Sequence, residues 1–512
     1  MENTYDVIAL GGGLAGRPAA IIARRSGASV LIVEAEMFGG TCPLKGCIPK
    51  KVLISSAEIM ENIRRSPGLR ITVQNAHLDW DGLIDLKKAI IAPVPKEHEE
   101  RLEKLGIHIL SARARFTGRH SIEAGGREYH GKKFVIATGS RPRTLPIPGF
   151  ENTLTSDELL ELGRLPSSVV FIGSGPIGME FTHVFLRAGI QVMVLDAAKR
   201  ILPAFDEELV KELVEHTQSL GAKVIPGADV DSITRSSSGF DVAYRAGDES
   251  RVAEADIVIN SAGRTANYEG LDLASAGIET DAKGIVLDKY LRSVSNQDVF
   301  VAGDAVPSSP QLSPIATYEG RIAAHNVTSS DLIAPDYRFI PYAVYTIPPL
   351  AGVGLTEEQA SARGLKFKTA QRNLKSLKMT WIYTGPAAFS KVLIEEETDR
   401  ILGIHILPRD HQYLRSCDEA RHHLPRSEGV PLRLPYICFG YSGHDRAQGL
   451  TPETLKNPAR IIFPIRSKGR SRYARLLPLA AREPVPPGFL RIDSGSGRAT
   501  GGGYVSHSAR RS

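Results

Sequence analysis

Cysteine is scarce in this chain, with four in 512 residues beside only 2 tryptophans and 6 methionines. So few thiols exclude a secreted disulfide scaffold, and any disulfide is expected to be catalytic rather than structural. Apolar runs of membrane-spanning length are missing too. The first strand is expected about five residues in, which leaves no room for a signal or transit peptide. The expectation is a folded, cytoplasmic protein, and an apolar fraction of 42% suits the cores of several domains.

A basic excess is also lacking over most of the chain, although the formal net charge of +6 invites a nucleic-acid or anionic-membrane partner. Residues 408–512 carry 16 Arg and 2 Lys against 8 acidic residues, so the first 407 hold 45 basic side chains against 49 acidic ones. No nucleic-acid or membrane partner is expected.

What is present begins with Tyr5-Asp6-Val7-Ile8-Ala9-Leu10, which runs into Gly11-Gly12-Gly13-Leu14-Ala15-Gly16 and an Ala/Ile-rich helical stretch ending at Gly27. In this strand, glycine turn and helix, Gly11 is expected in the tight turn and Gly13 where backbone approaches a pyrophosphate. Gly16 is expected where helix packs on strand. Val30-Leu31-Ile32-Val33 then closes on Glu34, whose carboxylate can accept ribose hydroxyls. The unit recurs: Val169-Val170-Phe171-Ile172, then Gly173, Gly175 and Gly178 at the same spacing, a helix through Ala188-Gly189, and Val192-Met193-Val194-Leu195 closing on Asp196. One chain thus offers two dinucleotide sites. An acid at the second strand's end hydrogen-bonds a 2′-hydroxyl and repels a 2′-phosphate, so NADH is expected over NADPH. Lys199 and Arg200 lie a turn beyond the place of a phosphate clamp and are expected on the solvated surface.

Cys42 and Cys47 stand in Gly39-Gly40-Thr41-Cys42-Pro43-Leu44-Lys45-Gly46-Cys47-Ile48-Pro49-Lys50-Lys51, shortly after the first glycine turn. A zinc half-site is the duller reading, but zinc needs about four ligands. Cys417 and Cys438, 21 residues apart, offer no matching spacing. Gly39-Gly40 and Gly46 fit a backbone packed close to a ligand, so a redox pair beside a cofactor is expected.

Further motifs follow in order: Ala137-Thr138-Gly139-Ser140, Ser261-Ala262-Gly263-Arg264, Val299-Phe300-Val301-Ala302-Gly303-Asp304, and the stretch from Phe339-Ile340-Pro341 through Val353-Gly354-Leu355-Thr356-Glu357-Glu358-Gln359-Ala360. With these the chain, from residue 5 to about 407, resembles the class I pyridine nucleotide-disulfide oxidoreductases, the family of dihydrolipoamide dehydrogenase, glutathione reductase and mercuric reductase. The resemblance implies an α/β fold with two Rossmann-like domains, for FAD and NAD, and an α+β dimerisation domain. The FAD domain would span 1–150 and 271–335, the NAD domain 151–270, and the start of the dimerisation domain 336–407.

The same resemblance implies the roles. Cys47 would lie against the flavin and Cys42 would attack the substrate, with thiolate character needed at both. Lys51 would reach the flavin N5 edge with Glu180 as its acidic partner, and Asp304 would bind the ribityl chain. Gly40, Thr41, Thr138, Gly139 and Gly263 would join the glycine turns as cofactor contacts. NADH would reduce FAD, the flavin would open the Cys42–Cys47 disulfide, and exchange with a disulfide or dithiol substrate, small-molecule or protein, would close the cycle. Dihydrolipoamide dehydrogenase-like activity leads because of Asp196 and Gly178. Mercuric reductase-like and glutathione reductase-like activities follow, and a non-catalytic nucleotide-binding product of a damaged gene is the rival. The chain departs from the family at Ala266, where proline is usual, at Lys50, where Ser or Thr is usual, and at Pro43-Leu44.

After Pro408 the resemblance stops. The tail is rich in Arg and Pro, and the family's histidine-proline-threonine segment, which supplies an acid/base from the partner subunit, is absent. Back-translating Leu432-Arg433-Leu434-Pro435-Tyr436-Ile437-Cys438-Phe439-Gly440-Tyr441 and reading one nucleotide later permits Tyr-Ala-Tyr-Pro-Thr-Phe-Ala-Ser-Asp. This peptide resembles the missing segment with Tyr in place of His. A reading-frame shift near residue 408 is expected, and with it half of the dimerisation domain and the homodimer come into question.

Overall fold

Val7-Ile8-Ala9-Leu10 is almost wholly buried because β1 (Thr4–Leu10) lies inside a parallel sheet, covered on both faces. The computed structural model describes residues 3–307, 309–373, 389–408, 464–467 and 470–473. From β1 the chain turns into α1 (Gly16–Arg25), whose Ala19, Ala20 and Ala23 are small enough for the helix to lie close on the sheet. It then returns as β2 (Val30–Glu34), parallel to β1 with Val7 opposite Val30. His108–Ser111 and Arg127–Ile136 extend the sheet on either side, and Val299–Val301, from far along the chain, pairs in parallel with Arg127–Ile136.

The cysteine segment forms a short helix, Thr41–Lys45, and then α2 (Cys47–Arg65). After a helix over Trp80–Ile91 comes α3 (Val94–Lys104). The second glycine unit builds its own four-stranded parallel sheet: β3 (Ser168–Ile172), α4 (Pro176–Arg187) and β4 (Gln191–Asp196), flanked by Lys223–Pro226 and Ile257–Asn260. A three-stranded antiparallel sheet spans Ala228–Ser236, Gly239–Ala246 and Glu249–Ala255.

The helix α5 (Ser313–Thr328) crosses α1 closely: a Cβ on Gly320 would lie 2.2 Å from the Ala15 carbonyl oxygen. Beyond it, Tyr342–Val344, Leu350–Gly354, Ile401–Leu407, Phe389–Glu395 and Phe367–Asn373 pair antiparallel in that order. The largest core joins Leu53 and Ile54 of α2 to Phe181 and Phe185 of α4 and to Val344, Ile347, Leu350 and Leu407, so α2 is gripped by elements from both later parts of the chain.

Two units partition the chain, Met1–Cys438, which holds everything above, and Phe439–Ser512. In the second, Pro464–Ser467 pairs antiparallel with Arg470–Tyr473. Otherwise the expectations for 409–512, including Cys417, Cys438 and the shifted frame, lie outside the described residues. No helix among the described residues is long and apolar enough to cross a membrane.

Candidate active site

Cys47 is the first residue of α2, where the unpaired N–H groups of the opening turn favour a negative sulfur. The two thiols are unbridged, and Cys47 Sγ lies 3.1 Å from the Ser313 hydroxyl at the start of α5. The hydrogen bond from Cys42 is the largest cause that draws the Cys47 thiol down to about 6; burial opposes it, and Lys50 and Ser313 add to it. Cys42 is pushed up, first by donating that hydrogen bond and then by burial. One negative charge is favoured, on Cys47, because two adjacent thiolates would repel.

Lys50 and Lys51 follow Cys47 by one helical turn and share its face. Lys50 Nζ lies 2.6 Å from Glu180 Oε2 on α4, and Glu180 Oε1 accepts the Tyr345 N–H at 2.8 Å. Both ammonium groups stand over the Tyr345 ring, at 5.1 Å for Lys50 and 4.6 Å for Lys51. The structure pairs Glu180 with Lys50, sets Lys51 over the same Tyr345 ring, and places Ser313 against Cys47. Spacing alone could not choose between neighbouring lysines on one helical face. Tyr345 and Ser313, distant in sequence, carried no local signal.

The nucleotide turns have the shape that a bound dinucleotide needs. Gly11 adopts φ 113°, and a Cβ there would lie 2.2 Å from the Ala137 carbonyl oxygen. Gly40, at φ 72°, packs on Gly13 so closely that a Cβ would come within 2.6 Å of its Cα, which brings the cysteine segment against the first glycine turn. Gly16 closes on the Gly11 carbonyl, and Thr41 opens the short helix before Cys42. Glu34 accepts the Gly12 N–H at 2.6 Å and the Glu36 N–H at 2.8 Å. Asp196 repeats this with the Ser174 N–H at 2.6 Å and the Ala198 N–H at 2.8 Å. Gly173, Gly175 and Gly178 run from the end of β3 into α4.

At the exit of the first sheet, Thr138 Oγ1 donates to the Asn267 carbonyl at 2.6 Å, beside Gly139. The Gly263 carbonyl accepts the Arg143 N–H at 3.0 Å. Asp304 accepts from the Ser140 hydroxyl at 3.0 Å, and that oxygen accepts from Arg264 Nε at 2.9 Å. Burial pushes the Asp304 carboxyl up. The placement of Arg200 departs from expectation. It is largely covered, with Nη2 2.7 Å from the Phe205 carbonyl and Nη1 paired to Glu358, because Ile201–Phe205 turns it inward.

The sequence profile of the family described as "pyridine nucleotide-disulphide oxidoreductase" matches residues 5–320. The chain belongs to that family. As a pyridine nucleotide-disulphide oxidoreductase it is a FAD-dependent enzyme that works with NAD(P)H through a redox-active disulfide and acts on sulfur groups. The family's dimerisation domain matches residues 340–414, which points to the homodimer as the family's assembly. Dihydrolipoyl dehydrogenase of Bacillus subtilis (strain 168) is 32% identical over 426 residues, covering 80% of this chain and 89% of the relative. A mercuric reductase of Staphylococcus aureus is 31% identical over 409 residues, 79% of this chain and 75% of the relative. A glutathione reductase of Nostoc sp. is 30% identical over 421 residues, 80% and 91%. Among solved structures, the HOCl-induced flavoprotein disulfide reductase RclA from Escherichia coli superposes with a TM-score of 0.71 at 26% identity, covering 80% of this chain and 92% of that chain.

Proposed function

We propose that this oxidoreductase passes electrons between NADH and a disulfide or dithiol substrate through Cys42 and Cys47. The observation that carries the reading is the environment of Cys47, a helix-opening thiol drawn down to about 6 by Cys42, Lys50 and Ser313. When bound, FAD supplies two-electron transfer between the nicotinamide and the Cys42–Cys47 pair. The glycine turns at Gly11, Gly13 and Gly16 and the carboxylates of Glu34 and Asp304 would hold that cofactor. Lys50, Lys51 and Glu180 would meet its reactive edge. Cys47 would hold the negative charge of the reduced pair, and Cys42 would exchange with the substrate.

The second glycine unit, with Gly173, Gly175, Gly178 and Gly263, would take the nicotinamide dinucleotide. Asp196 places a carboxylate at the end of β4, and the nearby guanidinium of Arg200 is committed to Phe205 and Glu358. That pairing supports NADH over NADPH. It favours dihydrolipoamide dehydrogenase-like activity, with mercuric reductase-like and glutathione reductase-like activities as the second reading. The proposal includes the domain partition expected above, a cytoplasmic setting, and a shifted reading frame after residue 408.

The test is an anaerobic titration of the FAD-loaded protein with NADH and, separately, NADPH. A long-wavelength thiolate-to-flavin absorption band after one equivalent of NADH is expected. Flavin bleaching without the band would reject the Cys47 relay, and equal responses to both nucleotides would reject the NADH preference.

A further inference from the structure

Glu319, midway along α5, is fully buried. A carboxyl in that position is costly unless hydrogen bonds answer it. Among the described residues three donors converge on it: Oε2 accepts the Gly303 N–H at 2.7 Å, and Oε1 accepts the Ser309 and Tyr337 hydroxyls, each at 2.5 Å. Burial pushes the carboxyl up, those three hydrogen bonds draw it down, and the neighbouring Asp304 adds to the rise. Gly303 opens the turn Gly303–Ala305 at φ 74°, packed so closely on the entry to α1 that a Cβ would lie 2.9 Å from the Ala15 Cβ. An N–H shut into such a turn needs an acceptor, and Glu319 supplies it. The next residue is Asp304, whose side chain takes the Ser140 hydroxyl at 3.0 Å, and the Tyr268 hydroxyl donates to the Ala305 carbonyl. The backbone is thus tied down on both sides of Asp304.

We infer that Glu319 is a positioning residue for FAD: by fixing the Gly303 N–H it sets where Asp304 points, and it acts through that turn. The inference rests on the proposed role of Asp304 in holding the cofactor. Ser309 and Tyr337 hold Oε1 and so keep Oε2 turned towards Gly303. A glutamine can serve the same turn, its carbonyl accepting the Gly303 N–H while its amide meets the two hydroxyl oxygens. A methionine of similar length offers only a weak acceptor and leaves the N–H unanswered.

The test reads flavin binding, not turnover. Each full-length variant is purified with its FAD, and the free flavin at equilibrium is measured over a dilution series. The affinity of the second glycine unit for ADP-ribose is measured alongside by calorimetry. Glu319→Met is expected to weaken FAD about thirtyfold and ADP-ribose less than about twofold, with Glu319→Gln within about threefold of the parent for both. Tyr337→Phe, which takes one donor from Oε1, should weaken FAD about threefold and carries the test where Glu319→Met does not fold.

Equal weakening of FAD and ADP-ribose would overturn the proposal, since Glu319 would then serve the fold at large. Equal weakening of FAD by the Met and Gln variants would overturn it too, because charge rather than the Gly303 hydrogen bond would be at work. An FAD affinity unchanged in Glu319→Met, or in Tyr337→Phe where Glu319→Met does not fold, would also overturn it. Asp304→Ala separates the proposal from the reading beneath it. If that variant weakens FAD while Glu319→Met does not, the role of Asp304 stands and that of Glu319 falls. If it binds FAD as the parent does, the role of Asp304 falls and Glu319 with it.

Discussion

A sulfur at the first residue of a helix, with a hydroxyl, a second thiol and an ammonium group around it, is a site for one stable negative charge. With Cys47 drawn down to about 6, its thiolate in the reduced enzyme should persist from alkaline pH down to that value and be protonated below it. Thiolate ultraviolet absorbance followed against pH should therefore show a midpoint near 6. Lys50→Met removes a cation that favours the charged form and should raise that midpoint by about one unit; an unchanged midpoint would exclude Lys50 from the site's electrostatics. The nucleotide preference also belongs to a single residue. Asp196→Asn should lower the ratio of kcat/KM for NADH over NADPH by about tenfold, the equivalent of about 1.4 kcal/mol, and a ratio that does not move would remove Asp196 from specificity.

Among the elements, α2 carries the most consequence, because it bears Cys47 at one end and a buried ion cluster at the other. Glu61 is 1% exposed and takes Arg187 Nε of α4 at 3.1 Å, with Arg64 and Arg65 of its own helix. Arg187 continues to the Ile347 carbonyl at 2.9 Å, and its Nη1 donates to His183 Nδ1 at 2.9 Å. The cluster therefore ties α2 and α4 to the strand connection that presents Tyr345. Glu61→Gln leaves a buried guanidinium without its counter-charge and should cost roughly 3–5 kcal/mol in unfolding free energy, measured by denaturant titration. Burial would raise the Glu61 carboxyl, but Arg64, Arg187 and Arg65 outweigh it and hold it at about 2, against an ordinary value of 4.5. Its folded-state value is depressed, so its contribution is complete above pH 4.5 and is lost as pH falls towards 2. His216, drawn from 6.5 to about 4 by burial and then by Arg187, adds an earlier loss between those values. Parent protein should weaken in both windows, and Glu61→Gln in the upper one alone.

On the scale of the whole molecule, the described part ends its last long strand at Leu407, and the match to the dimerisation domain ends at residue 414. The relatives' matches cover about four-fifths of the chain. The proposed frame shift makes two expectations. Resequencing the gene should find one nucleotide gained or lost near codon 408, and an intact frame would reject the proposal. Protein made in the restored frame should sediment as a dimer, while the chain with the present tail should not, because half of the interface domain would lack its evolved sequence. Equal sedimentation of the two would reject the link between tail and assembly.

The nucleotide units were legible because their signals are local: a glycine turn needs positive φ or close approach at fixed offsets, and the acid that closes each unit follows about 20 residues on. Cys42 and Cys47 were legible for the same reason, as were the strands Phe389–Glu395 and Ile401–Leu407, which show as short apolar runs. Sequence alone determined the family, the two glycine turns and the spacing of Cys42 and Cys47. Tertiary structure decided which sulfur holds the charge, because that depends on Ser313 from 266 residues away and on Lys50 lying nearby. It also decided that Glu180 meets Lys50 and that Arg200 reaches the Phe205 carbonyl. Pairing energies depend on distance and burial in space, and neither is encoded in the spacing of residues along the chain.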